Sequence, residues 1–512
     1  MATSKVSKSA QIRARLNHPI IDSDGHTLEN PAVLAEYIKS ESGSKVAERF
    51  AASGGGYGLV IHGENLAEAR DKRITRGPWW GSPAANTLDR ATSMLPKLLY
   101  ERMDELGLDY SVLYTTIGFS LIGIEDEELR RASCRALNRM RADMTTGFGD
   151  RLTAAAVIPM HTPQEAIEEL EFAVKELGMK CAMVASFVKR PVPMIARKYP
   201  DAAPFAYTLD VYGIDSDYDY DPFWSKCQEL GIAPTFHSLG YTWGSRQSYS
   251  NYVYNHVGSF AASAEAICKG LLMGGVPMRF PRLRFGFLEG GVAWAVMCYC
   301  DLISHWHKRN GKAMREVLNP ALVDRKLFSN LVARYARRQT DGDLATLQGF
   351  TPGTTVSSDL PIDEFEKSGI QSAEDIRDLF VEKFYFGCEG DDPLNAMAFN
   401  GRGIPFDAKL KPLYGSDIGH WDVPDMALIA EEAYELVEQR VIDKQALKSF
   451  LFDNAISFWT ANNRDFFKGT MVQGAVERRR SEMVLRGGST MNPPSLKEGP
   501  GEDKNARRSS SQ

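Results

Sequence analysis

The stretch that decides the fold lies near the N-terminus: His18-Pro19-Ile20-Ile21-Asp22-Ser23-Asp24-Gly25-His26-Thr27-Leu28-Glu29. A short apolar run at 19–21 opens directly into metal-ligand residue types. The run is too short and too β-branched for a helix and reads as a buried strand. Side chains alternate along a strand, so Asp22, Asp24 and His26 share one face. Asp24 and His26 can then converge on one ion at the strand's C-terminal end. Gly25 between them lets the backbone approach closely and turn. Asp22 sits deeper on that face, where a structural hydrogen bond is the expected role.

Downstream, strand and helix patterns alternate. DYSVLYTT (109–116), RLTAAAVIPM (151–160), a run at 180–188, APTFHSL (233–239), RLRFGFL (282–288), a run at 384–388 and KPLYG (411–415) read as strands. Each is followed by a helix-like period. With the first run they make eight strand-helix units, which predicts a parallel sheet with right-handed crossovers. Eight units in a chain of this size predict an α/β fold, a (β/α)8 barrel with long loop insertions and extra C-terminal helices. A doubly wound open sheet is the rival, but no Gly-rich phosphate loop follows the first strand.

The domain reading is a flexible arm over 1–17, the barrel over 18–468 and a disordered polar tail over 469–512. Insertions fall at about 41–86, 189–220 and 311–380, with a Tyr-rich loop near 240–256. Loops that long inside a compact domain are functional or inserted.

The 512 residues carry a net charge of −6, and no basic footprint of the kind nucleic acids require stands out. No apolar run approaches the length of a membrane span, and residues 1–18 lack the apolar centre of a signal peptide. Seven dispersed cysteines without a C-x-x-C pair suit reduced thiols in a cytoplasmic protein. The expected partner is a small-molecule substrate, with a homo-oligomer or a homologous subunit as the expected assembly.

In a (β/α)8 barrel the site forms where strands end. Asp24 and His26 end strand one, His237 ends strand five and Asp417 ends strand eight. Two imidazoles and two carboxylates suit zinc, manganese or iron(II), and such an ion activates water or polarises a substrate oxygen. Glu29, His256, Glu289 and His420 lie close in sequence to these positions. If two of them join, a second metal fits, with Glu29, His256 and Glu289 as its candidate ligands. A carboxylate-rich pair of metals favours iron or manganese.

HPIIDSDGHTLE (18–29), ERMDELGLDYSVLYTT (101–116), TFHSLG (235–240), FPRLRFGFLEGG (280–291) and LYGSDIGHWD (413–422) together resemble the amidohydrolase superfamily. The branch they are similar to is that of aminocarboxymuconate-semialdehyde decarboxylase. The resemblance runs over about 18–468, the insertions aside. It implies metal ligands at Asp24, His26, His237 and Asp417, with Asp24 in place of the branch's first His or Glu. Where the branch has a strand-six His, this chain has Glu289, which becomes the general base or acid, with His420 orienting water or substrate.

The activity so implied is metal-dependent hydrolysis or decarboxylation of a small organic substrate, an aromatic carboxylic acid by analogy. Two alternatives stand beside it. One is a dinuclear non-haem iron or mixed Mn/Fe oxygenase on the same barrel; the other is a non-catalytic metal-binding subunit. Trp79, Trp80, Tyr241 and Trp243 are candidates for the pocket lining.

Overall fold

The computed structural model describes residues 6–55, 66–77, 85–238, 240, 243–335 and 361–487. Trp79, Trp80 and Tyr241 lie outside the described residues, as does the chain beyond 487.

Eight parallel strands form the centre: β1 (Ile21–Thr27), β2 (Tyr110–Thr115), β3 (Leu152–Ala154 and Ala156–Ile158), β4 (Ala182–Val184), β5 (Pro234–Phe236), β6 (Phe285–Phe287), β7 (Phe384–Glu389) and β8 (Pro412–Gly415). Each pairs in parallel with the next. Strand β3 changes partners at Ala155, whose N–H bonds the Leu113 carbonyl while that of Ala156 bonds the Cys181 carbonyl. The ring closes between β8 and β1. Asp417 N–H donates to the Asp24 carbonyl at 2.9 Å and His26 N–H to the Ile418 carbonyl at 3.0 Å. The sheet therefore has no free edge, and the expected (β/α)8 barrel is observed.

Alternation along the short strands sorts their side chains. Phe285 and Phe287 of β6 pack edge-on against Trp224 and Trp294 of the surrounding helices. Burying each such ring contributes roughly 1.5–3 kcal/mol. Facing inward, Tyr114 of β2 donates across the barrel to Thr235 Oγ1 of β5 at 3.0 Å. Contacts of this kind fill the interior, and in this fold the chemistry belongs at the strand ends.

Strand β1 departs from simple alternation. Asp22 pairs with Ser111 and Gly25 with Leu113, so one extra residue bulges between them. The Asp22 carboxylate holds the bulge, accepting from Ser111 Oγ (2.6 Å), Ser416 N (2.9 Å), Ser416 Oγ (2.8 Å) and Asp24 N (3.1 Å). Gly25 is required by close approach: a Cβ there would stand 2.7 Å from Asp22 Oδ2.

Both chain ends correct the sequence reading. Residues within the expected flexible arm form a helix, Lys8–Arg15, capped by Ser7. It docks on the barrel through the Arg13–Asp109 ion pair and buried Ile12. Part of the expected disordered tail is the helix Gln473–Gly487, held by a two-point Arg479–Asp453 pair at 2.6 and 2.7 Å. The insertions also carry structure. Helices Ser44–Ala52 and Leu66–Lys72 lie in the first, an antiparallel hairpin (Val188–Pro191 with Tyr207–Asp210) in the second, and helices Gly311–Glu316 and Arg325–Tyr335 in the third. After the first insertion come two consecutive helices, Thr87–Met94 and Pro96–Leu106. Pro96 lacks the N–H that a continuous helix needs.

Candidate metal centre

The carboxyl-terminal mouth of the barrel gathers donors from four strands. His26 from β1 and His237, just past β5, bring their Nε2 atoms to 3.3 Å. Asp24 Oδ1 lies 3.4 Å from both. Asp417, after β8, places Oδ1 3.2 Å from His26 Nε2. Glu289, after β6, places Oε2 3.3 Å from His237 Nε2 and 3.9 Å from His26 Nε2. Bonds of about 2.0–2.2 Å to one ion put neighbouring ligand atoms roughly 3.0–3.5 Å apart. These separations are the edges of such a coordination shell.

Hydrogen bonding makes the same point. Asp24 Oδ1 and Glu289 Oε2 are buried with no hydrogen-bond partner, and Asp417 Oδ1 is buried with His420 Nδ1 at 2.8 Å. An unsatisfied buried carboxylate is costly. Asp24 Oδ1 and Asp417 Oδ1, directed at one space, fit a divalent cation, and the two imidazoles supply borderline nitrogen donors. The backbone is also strained here: Glu289 and Asp417 have φ of 55° and 49°, left-handed values that non-glycine residues avoid.

His420 is set by its neighbours. Its Nδ1 lies 2.8 Å from Asp417 Oδ1 and its Nε2 3.2 Å from Thr116 Oγ1. Its ring stacks on that of His26 at 3.9 Å.

Two of the sequence candidates for a second ion lie elsewhere. Glu29 is fully engaged: Arg141 and Thr27 donate to Oε1, and the backbone N–H groups of Thr116 and Ile117 donate to Oε2. This carboxylate pins β1 to β2 and is not directed at the donor cluster. His256 belongs to an aromatic wall, 5.5 Å from Trp421, 5.1 Å from Tyr252 and 5.9 Å from Phe260. Burial lowers its pKa to about 4. Trp243 stacks on Phe187. The rings against the donor cluster are instead Phe119, 4.5 Å from the His237 ring, and Phe260, 5.2 Å from it.

Two acids that the sequence reading passed over stand beside Asp417. Glu389 is the last residue of β7, and Asp422 lies five residues beyond Asp417. Glu389 could have been found by the same strand-end rule that selected the others.

The electrostatics favour ligand-ready imidazole on one side and crowd negative charge on the other. Burial works against ionised Asp24, but His237 and His26 outweigh it and hold Asp24 well below the usual carboxylate range. Burial pushes His26 far down, leaving it neutral. Glu289 is pushed well up by burial and by facing Asp417 and Asp422. Burial with neighbouring acids raises Glu389 to about 8 and Asp422 to about 9.

A pH dependence follows. Unfolded carboxyls titrate near about 4, so between roughly pH 4 and 9 the folded chain holds protons that the unfolded chain has released. Stability of metal-free protein therefore falls as pH rises through this window. A bound divalent cation replaces those protons. Chelator-treated protein is expected to lose more melting temperature between pH 6 and 9 than metal-loaded protein, and parallel profiles would contradict this.

Residues 96–319 match the amidohydrolase family model. A gamma-resorcylate decarboxylase from Polaromonas sp. is 25% identical over 223 residues, 42% of this chain and 63% of that protein. The chain thus spans under two thirds of that relative's length. An amidohydrolase from Mycobacterium avium subsp. paratuberculosis is 17% identical, with a TM-score of 0.49 over 87% of this chain and 100% of that one. A dihydroxybenzoic acid decarboxylase from Polaromonas sp. JS666, solved with manganese and 2-nitroresorcinol, is 15% identical, with a TM-score of 0.47 over 88% and 99%. Among the described residues no helix is long and apolar enough to cross a membrane. The family match over residues 96–319 and the closed barrel agree with the resemblance to the amidohydrolase superfamily that the sequence motifs carry.

Proposed function

We propose that the chain is a metal-dependent lyase that removes carbon dioxide from a small aromatic carboxylic acid. The observation that carries this is the convergence of buried metal-ligand side chains, Asp24 and His237 around His26 on one side and Asp417 on the other, beneath an aromatic wall. The decarboxylase relative supports this choice over hydrolysis. A divalent ion at these four residues supplies a Lewis acid for a substrate oxygen. Phe119 and Phe260 offer flat apolar faces for a ring and keep water from it.

Glu289 is the acid. Burial and facing carboxylates keep its proton on near neutral pH. When the bond between ring carbon and carboxylate breaks, carbon dioxide leaves and the electron pair stays on the ring carbon. Glu289 delivers the proton that this carbon takes up and regains one from solvent. The Thr116–His420–Asp417 chain fixes Asp417 and the imidazole beside it.

The test is a panel of hydroxybenzoates offered to zinc-, manganese- and iron-loaded protein, with carbon dioxide release as the readout. At least one acid is expected to be decarboxylated, and Glu289→Gln is expected to lose roughly 10²–10⁴-fold of the rate while retaining metal. Full turnover by Glu289→Gln removes Glu289 from the mechanism. Fully metallated protein that consumes none of the panel counts against the lyase reading.

A further inference from the structure

We propose that the arm at residues 188–210 is a docking element for an anionic lipid surface. The proposal is independent of the reaction assigned to the metal centre.

The arm is the second insertion and leaves the barrel just after β4. Its strands, Val188–Pro191 and Tyr207–Asp210, pair antiparallel. Between them lie a short helix, Pro193–Lys198, and a further helical turn, Pro200–Phe205. The base is fixed. Val188 is buried, and the Arg190 guanidinium donates to Asp210 Oδ2 at 3.0 Å, to the His161 carbonyl at 2.8 Å and to the Tyr220 hydroxyl at 2.9 Å.

The tip is the opposite. Neither helical piece buries a residue. Phe205 is 86% exposed, Met194 59% and Tyr199 52%. An exposed apolar side chain standing singly needs no explanation. Three large ones between 194 and 205, on a segment clamped at its base and uncovered at its tip, call for a partner.

Charge selects that partner. Arg190 is engaged by Asp210 at the base, which leaves Lys189, Arg197 and Lys198 against one acid, Asp201, in a chain whose net charge is −6. A basic tip on an acidic protein is the part drawn to a negative surface. Cations beside exposed Met, Tyr and Phe are the make-up of an interfacial segment. Aromatic rings settle at headgroup depth, apolar groups reach below it, and Lys and Arg meet anionic headgroups. A second copy fits less well, because two tips meeting about a two-fold axis set Arg197 and Lys198 against their own counterparts.

The adjoining loop extends the surface. Phe187, at the foot of the arm, stacks on Trp243 at 5.3 Å. In the loop that carries Trp243, the short helix Tyr252–His256 leaves Val253 and Tyr254 exposed, as is Val257 after it. Tyr252 and His256 of the same helix belong to the aromatic wall. Arm and loop follow adjacent strands, β4 and β5, at the end of the barrel that holds the donor cluster. Docking there brings that end to the lipid.

Flotation of metal-loaded full-length protein with vesicles tests this. Vesicles of phosphatidylcholine alone are compared with vesicles of equal parts phosphatidylcholine and phosphatidylglycerol, at about 0.1 M and about 1 M salt. Wild type is expected to bind the anionic vesicles at low salt, and at least about 10-fold more weakly when the vesicles are neutral or the salt is high. Met194→Ser/Phe205→Ser and Arg197→Gln/Lys198→Gln are each expected to lose at least about 10-fold of the binding. All four side chains are exposed, so both variants are expected to fold and to melt with wild type.

Wild type that does not float with anionic vesicles overturns the proposal, as does binding that either double variant leaves unchanged. Wild type that sediments as a dimer, with Met194→Ser/Phe205→Ser monomeric, assigns the tip to a second copy and overturns the lipid reading.

Discussion

Replacing His237 with alanine is expected to cost the protein its tightly held ion, with divalent-metal affinity falling by at least about 10³-fold. Losing a residue that merely orients a ligand typically costs about 10–100-fold, and His237 is assigned a direct donor. Its Nε2 sits 3.3–3.4 Å from His26, Asp24 and Glu289, so no neighbour can fill the vacated position without moving. The partner experiment is His161→Ala. His161 is half-buried and neutral, its pKa lowered to about 3 by burial and by Arg130 and Arg190. It lies outside the donor cluster, and its replacement should leave affinity unchanged. Competition against a chromophoric chelator measures both. A His237→Ala protein within 10-fold of wild type would remove His237 from the coordination shell.

The second large effect concerns stability. Arg141 donates to Glu29, Thr27 Oγ1 and the Leu113 carbonyl, and its side chain and that of Glu29 are 2% and 0% exposed. Breaking a buried pair by removing one partner costs about 3–5 kcal/mol, because the other charge stays behind. Arg141→Met is therefore expected to destabilise by that amount in urea denaturation. The double variant Arg141→Met/Glu29→Leu should recover much of the loss, since no lone charge remains. In both, folded protein should keep its metal. A loss below about 1 kcal/mol, or metal loss at full stability, would contradict the structural assignment of Glu29.

That assignment marks what the sequence does and does not disclose. The eight strands were legible because each is a short apolar run bounded by breakers, and the strand-end rule then located Asp24, His26, His237, Glu289 and Asp417. Glu29 passes the same local test, yet its partner Arg141 lies 112 residues away on the helix Glu127–Thr145, and nothing near Glu29 announces it. The β1 bulge was invisible for a like reason. It is held by Ser111 and Ser416, residues 89 and 394 positions from Asp22.

Glu389 was hidden by its neighbours, since Asp391 and Asp392 form a more conspicuous acidic run. Asp392 in fact caps a turn by accepting from Leu394 N. The terminal helices were missed because they are short of apolar residues. Each docks through one ion pair, Arg13 to Asp109 and Arg479 to Asp453, with a single buried aliphatic side chain beside it, Ile12 and Val476, too little for a hydrophobic period to reveal.

The central claim is that the mouth of the barrel is a metal centre. Anomalous X-ray diffraction from crystals of metal-loaded protein, recorded at the manganese, iron and zinc edges, tests it most directly. The account predicts a strong peak about 2.0–2.3 Å from His26 Nε2, His237 Nε2, Asp24 Oδ1 and Asp417 Oδ1. Well-diffracting crystals with no anomalous peak among these four residues, or with the metal bound elsewhere on the chain, would contradict it.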